Sequence, residues 1–345
     1  MFVAGDLFDT AAPVPESEKI VYSALMQLAG VAEHVVVIGG NHDNQRRLEA
    51  IKPFADATNL HLVPSIARPE AGGVLKLTTQ SGEPARVALL PFVSQRGIVR
   101  ADDLMADDAD DHSVAYRDRL SRLIEALCRN CAKDAVNLLM AHAMVDGGKM
   151  GGGERDAHTI FDYSIPTTAF PAHLHYVALG HLHRAQSLPG RVPIEYCGSP
   201  LHLDFGEEMD EKSVAVIDAN PGKPATTERI PLSKGRRLRT IRGTLKELQE
   251  RASEFGDDYL RVEVTGRASP GLADQIRGLL PSAVEVRVAQ SDVTRNQALV
   301  ERMEAMRGSP VDLFQMYLKD RDSEDNAVCD LFKELLDECD APEAS

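Results

Sequence analysis

Apolar residues fall in short blocks separated by glycine, proline and acidic turns. Residues 2–4 (FVA) run straight into Gly5-Asp6 and predict the tail of a strand. From about Glu16, Ile20, Ala24, Leu25 and Leu28 recur on one helical face. Val35-Val36-Val37-Ile38 is a continuous run closed by Gly39-Gly40, the pattern of a strand buried on both faces. Strand-like runs recur at 73–79, 85–92, 135–141 and 175–179, and a helix is predicted over 115–131. Strands alternating with helices predict a layered α/β core.

The pattern changes after about residue 208. Two short strands are predicted at 213–218 and 227–232, then a β-α-β-α-β order over 237–243, 245–255, 259–265, 270–280 and 284–289, read as a small α+β unit of the split βαβ kind. Pro310 opens a tail with two apolar helix faces. One carries Leu313, Phe314, Tyr317 and Leu318; the other Val328, Leu331, Phe332, Leu335 and Leu336. Three parts result: a body over 1–208, a small unit over 209–300 and a helical tail over 301–345. The Gly-rich stretch 147–153 reads as a flexible loop.

Composition narrows the classes. The chain has 345 residues, enough to bury a core without staples. No apolar run approaches the ~18–20 residues that span a bilayer, and no basic-then-apolar leader opens the chain. Five cysteines make no disulfide framework, so a reducing cytoplasm and no membrane contact are expected. The formal charge is −15. Six Asp crowd 102–111, and 309–345 carries eleven acids against three bases, so these segments hold 14 of the 15 units. The remainder is close to neutral, which leaves room for a nucleic-acid enzyme with a local site.

Four clusters of chemistry-bearing residues each end a predicted strand: Gly5-Asp6 with Asp9, Gly40-Asn41-His42-Asp43, His142, and Gly180-His181-Leu182-His183. Strand carboxyl ends are where α/β proteins place their sites. Alone, a Gly-Asp turn or a single His reads as structural. The Asn-His pair after a buried strand, and two imidazoles spaced i and i+2, do not. Carboxylate, amide oxygen and imidazole together suit Mn²⁺, Fe²⁺ or Zn²⁺ rather than Ca²⁺. Carboxylates can bridge two ions, and two ions ~3.5–4 Å apart clamp a phosphate for in-line attack.

The ordered set GDxxD, GNHD, His and GHxH resembles the calcineurin-like metallophosphoesterases. Tyr176 to Gln186 (YVALGHLHRAQ), Tyr196-Cys197-Gly198-Ser199-Pro200, the GDLFDT start, Arg47-Leu48 after GNHD, and Ser309 to Phe314 are similar to the SbcD family of bacterial DNA-repair nuclease subunits. The resemblance implies an α/β metallophosphoesterase sandwich, a capping domain and a helical tail. It implies Asp6 as a carboxylate bridging two Mn²⁺ ions, with Asn41, His142 and His181 completing one site and His183 serving the other. His42 would face the scissile phosphate and protonate the leaving group, with Asp43 expected to orient it. Asp9 stands where archaeal and eukaryotic relatives carry histidine. The family also implies exonuclease action on duplex ends, endonuclease action on single strands and hairpins, homodimerisation, and docking of the tail (Leu313, Phe314, Tyr317, Leu318, Leu331, Phe332, Leu335) on the coiled coil of an SbcC-type ATPase. Family members carry an Asp-x-His motif ahead of the GD motif. None is present here, so one complete and one incomplete metal site are expected.

Other residues read as bland. Cys128 and Cys131 form a CxxC without the second pair a zinc site needs. His34, His61, His112, His158, His173, His175 and His202 match no ligand position. Lys234, Arg236, Arg237 and Arg239 fit either a DNA backbone or a solvated strand edge. Two further readings stay open: another metallophosphoesterase acting on a small phosphodiester, and a truncated subunit that docks on the ATPase without cutting.

Overall fold

The structure is a computed structural model. It describes residues 1–79, 81–94, 116–129, 131–132, 134–154, 164–266 and 269–289, and in the tail 314, 318 and 328–332. The acidic run 102–111, His112 and His158 lie outside the described residues, as do Leu313, Tyr317 and Leu335. Packing divides the chain into two units: Met1–Thr240 with Gly256–Leu260, and Ile241–Phe255 with Arg261–Ser345.

The first unit opens with β1 (Phe2–Val3), α1 (Pro15–Val31), β2 (Val35–Ile38), α2 (Gln45–Ala55) and β3 (Leu60–Val63). It continues with β4 (Val74–Thr78), β5 (Pro84–Leu90), α3 (Tyr116–Cys128), β6 (Val136–His142), β7 (Tyr176–Gly180), β8 (Gln186–Leu188) and β9 (Ile194–Tyr196). Strands β1-β2-β3 form one parallel sheet. A second sheet has the order β4-β5-β6-β7-β9-β8, in which β5, β6, β7 and β9 run parallel and the two edge strands antiparallel.

Period-two alternation explains how the sheets stack. In β2, Val35 and Val37 point toward α1 and α2, where they pack with Leu25, Leu48 and Leu62. Val36 and Ile38 face the other way and meet Val87, Leu89 and Met140 of the second sheet. That sheet turns Ala88, Leu90, Leu139, Ala141, Val177 and Leu179 toward Leu120, Leu123, Ile124 and Leu127 of α3. The layers are therefore helix, sheet, sheet, helix, and all four residues of β2 are fully buried. The α/β sandwich expected from the strand pattern is what forms.

A hairpin of β10 (Ser213–Asn220) and β11 (Lys223–Pro231) completes the first unit. Further on lie β12 (Leu238–Gly243), α4 (Leu245–Glu250), β13 (Tyr259–Val264), α5 (Leu272–Leu279) and β14 (Ala283–Val288). Strands β12-β13-β14 are neighbours in chain order, so no strand is inserted between consecutive ones and the split arrangement expected from sequence is not present. A capping box starts α4, with Thr244 and Glu247 each bonding the other's backbone amide. In the tail, the rings of Phe314 and Phe332 stack with centroids 4.1 Å apart. Among the described residues no helix is long and apolar enough to cross a membrane.

The double packing of the central strands sets an expected cost. Leu139→Ala removes a fully buried side chain at the interface with α3 and should destabilise by about 2–5 kcal/mol in urea unfolding. Val31→Ala, at a residue 81% exposed, should stay within about 0.5 kcal/mol of the parent.

Candidate metal centre

The carboxyl ends of β1, β2, β6 and β7 converge. Asp6 follows β1, Asn41 follows β2, His142 ends β6 and His181 follows β7. Asp6, His142 and His181 each offer a ligand atom within 4.8 Å of the others. Asn41 Oδ1 lies 2.9 Å from His142 Nε2 and 2.9 Å from His181 Nδ1. Four of the five residues expected to hold metal thus meet in one cluster.

The hydrogen bonding shows what the cluster fits. His142 is 1% exposed, and its Nδ1 donates to the Ala4 carbonyl at 2.6 Å, which can only accept. Nε2 of the neutral ring then carries a lone pair. That lone pair faces two more acceptors, Asn41 Oδ1 and Asp6 Oδ2, the latter at 3.2 Å. Converging lone pairs with no proton between them suit a cation, and the donor set matches a divalent transition metal. Burial by itself raises the Asp6 carboxyl, but the hydrogen bond and charge of His142 and the amide of His42 outweigh it and hold the group at about 2. Asp6 is therefore ionised at neutral pH.

Local backbone geometry is unusual where the ligands sit. Asp6 has φ 52° and His181 φ 104°, a region costing about 1–3 kcal/mol for a non-glycine residue. Neighbouring glycines permit the crowding. A side chain on Gly40 would run into the Asp6 carboxylate and amide, and one on Gly180 into the Ala4 carbonyl. Asn44 ends the GNHD loop by capping α2, accepting from the amides of Arg46 and Arg47.

His42 donates its amide to Asp6 Oδ1 at 3.0 Å, and its ring Nδ1 donates to the Asp9 carbonyl at 2.8 Å. The Asp9 side chain is 94% exposed, with Oδ1 3.9 Å from that ring nitrogen, so its backbone rather than its carboxylate aims the imidazole. The expected Asp43–His42 contact is not formed. Asp43 instead accepts from the amides of Gly40 (2.8 Å) and Phe8 (3.2 Å), tying the β1 and β2 loops together.

His183 leaves its amide on Glu154 Oε1 (2.9 Å) and its Nδ1 on Glu207 Oε1 (2.8 Å). Its remaining ring nitrogen is Nε2. Glu207 is fully buried and also pairs with Lys212 Nζ at 2.7 Å. Burial raises the Glu207 carboxyl, but His183 and Lys212 overcome this and bring it to about 2. Glu154 also accepts from the amides of Gly151 and Gly152, so it holds the glycine stretch read from sequence as flexible. Neither glutamate stands in a motif, and no sequence signal pointed to them. His202 bonds the Asp210 carbonyl at 3.0 Å, a structural role. Arg236 lies 3.9 Å over the Tyr259 ring, and Arg239 pairs with Asp258.

Gly40→Ala should displace Asp6 and weaken Mn²⁺ binding about 10–100-fold, the range seen when ligand support is lost. Calorimetric titration reads the affinity, and urea unfolding should show a loss of about 1–3 kcal/mol from overpacking.

Comparison with known proteins agrees with this geometry. Residues 234–322 match the SbcD_C family model, described as the type 5 capsule protein repressor C-terminal domain. The chain is 29% identical to the SbcD subunit of nuclease SbcCD from Bacillus subtilis (strain 168), over 96% of this chain and 86% of that protein. It is 32% identical to the protein of the same name from Rhodobacter capsulatus, over 67% of this chain and 59% of that protein. For the Escherichia coli (strain K12) protein the figures are 26%, 77% and 68%. Matches running through nearly the whole length, on a sandwich whose strand ends gather these ligands, mean that the chain belongs to the SbcD family.

Proposed function

We propose that this chain is the nuclease subunit of an SbcCD-type complex, hydrolysing DNA phosphodiesters with a divalent metal. The observation that supports the reading best is the convergence of the Asp6, Asn41, His142 and His181 lone pairs at the strand ends. Relatives named as nuclease subunits, matched along most of the chain, supply the substrate class.

Those four residues would hold one ion, with Mn²⁺ as the proposed metal. Asp6 and His183 would contribute to a second site, with Glu207 fixing the His183 ring so that Nε2 is its free donor. A bound divalent ion supplies Lewis-acid polarisation of a phosphoryl oxygen and lowers the pKa of water. The chain's own residues position the rest. Asp6, ionised and held by the His42 amide, keeps the loop of His42 beside the centre. In its imidazolium form His42 donates Nδ1–H to the Asp9 carbonyl, which leaves the Nε2 proton for the departing oxygen. Its side chain is 11% exposed, enough for contact with a substrate while most of the ring stays dry.

The tail is the proposed docking segment for an SbcC-type ATPase. Leu331, 55% exposed, is the described residue best placed for it. DNA ends and hairpins are the proposed substrates, the cytoplasm the proposed site of action, and a homodimer the proposed assembly.

Hairpin-ended DNA with Mn²⁺ tests the assignment. Cleavage should vanish with a chelator, return with Mn²⁺ and be lost in Asn41→Ala. His42→Gln should reduce turnover by about 10²–10⁴ while Mn²⁺ titration stays unchanged. Faster hydrolysis of a cyclic nucleotide than of hairpin DNA would replace the substrate assignment. Absence of cleavage by a chain that binds Mn²⁺ and the ATPase would favour a docking subunit. Leu331→Asp should weaken ATPase co-purification and leave cleavage intact.

A further inference from the structure

The CxxC of Cys128 and Cys131 lies at the end of the sheet opposite the metal ligands. Cys128 closes α3, and Cys131 stands five residues ahead of β6. His173, three residues ahead of β7, comes against it because β6 and β7 run parallel. His142 and His181 lie at the other ends of those two strands.

The two cysteines differ in every respect that matters for thiol chemistry. Cys128 is fully buried among Leu120, Leu123 and Ile124 of the core, while Cys131 is half-buried at its margin. The Cys131 amide donates to the Cys128 carbonyl at 3.1 Å, an i to i+3 turn. Such a turn keeps Cα atoms within about 7 Å, inside the reach of a disulfide. The loop after Cys131 is anchored: buried Asn137 accepts from the Ala132 amide at 3.2 Å and donates to its carbonyl at 2.8 Å. His173 Nε2 donates to the Cys128 carbonyl at 3.2 Å. A hydrogen bond from the Cys128 thiol, then His173 and the Arg86 charge, lower the Cys131 thiol to about 6 against the effect of burial. The same thiol pairing and burial push Cys128 up. Among the described residues this group is not one that converges on a metal, and two thiols with one imidazole lack a fourth zinc ligand.

We propose that Cys131 and Cys128 form a dithiol site that exchanges with low-molecular-weight disulfides, Cys131 as the attacking thiolate and Cys128 as the resolving thiol. In the first step the Cys131 thiolate attacks one sulfur of RS–SR, forming a Cys131–SR bond and releasing RS⁻. Cys128 then gives up its proton to solvent, and its sulfur attacks the Cys131 sulfur. The Cys128–Cys131 bond forms and the second RS⁻ leaves. The chain loses two electrons and two hydrogens, and the external disulfide becomes two thiols. The linked state pins the end of α3 to the segment entering β6, away from the metal ligands.

The test uses the full chain equilibrated with reduced and oxidised glutathione, quenched in acid, alkylated with N-ethylmaleimide and read by intact mass and peptide mapping. Oxidised glutathione should yield a chain two hydrogens lighter, with the link mapped to Cys128 and Cys131 and reversed by dithiothreitol. Cys128→Ser should stop at a glutathione adduct on Cys131, and Cys131→Ser should give neither adduct nor link at Cys128. Before oxidation, Cys131 should alkylate about tenfold faster than Cys128 at pH 7, as thiolate fraction and access dictate. Both thiols remaining alkylatable at every glutathione ratio would overturn the proposal. So would a wild-type glutathione adduct that never resolves, or a link to Cys197, Cys329 or Cys339.

Discussion

The hydrogen bond from His142 Nδ1 to the Ala4 carbonyl is the contact on which the site depends. It joins the end of the small sheet to the end of the large one. It also fixes the ring so that Nε2, rather than Nδ1, faces Asn41 and Asp6. The contact is possible only because the two sheets approach closely there. Gly180 lets the Ala4 carbonyl pass β7, and Gly40 lets Asp6 fold back against β2. Tertiary packing of Val36 and Ile38 against Val87, Leu89 and Met140 brings the sheets to that distance. Core packing therefore sets the geometry of the ligands.

The site is costly in the absence of a cation. Two ligand-bearing residues adopt left-handed backbone, and the acceptors of three side chains converge on one point. Folding elsewhere must offset this, and the fully buried β2, β5 and β6 side chains are the natural source. A bound ion reverses the balance, because the same convergence that repels without it becomes coordination with it. Asp43 and Glu207 show a second layer of design. One is a carboxylate clamp on backbone amides, the other a carboxylate–lysine pair behind an imidazole. Both hold ligand-bearing loops in position without standing at the centre themselves.

Much of this was legible in the sequence, for identifiable reasons. The all-apolar run of β2 and the Gly-Asp, Gly-Asn-His-Asp and Gly-His-x-His endings announced buried strands with functional carboxyl ends, and the cluster forms there. Helix α2 was not legible: it contains Pro53 and buries only Leu48 and Ala55, so its apolar periodicity is thin. Strands β3, β8 and β9 are three or four residues long, too short for alternation to register. Glu207 and Glu154 reach His183 across 24 and 29 residues, with no motif linking them. Asp9 acts through its carbonyl, and a backbone atom leaves no trace in residue type. The reading of Asp43 as a partner of His42 failed because adjacency in sequence was taken for adjacency of side chains.

The central claim is that Asp6, Asn41, His142 and His181 meet at a single cation. Anomalous scattering at the manganese edge, from crystals of the full chain soaked in Mn²⁺, tests it most directly. The account predicts a strong peak at bonding distance from Asp6, Asn41 Oδ1, His142 Nε2 and His181 Nδ1. A peak bound to other residues, or none at concentrations that saturate solution binding, would contradict it.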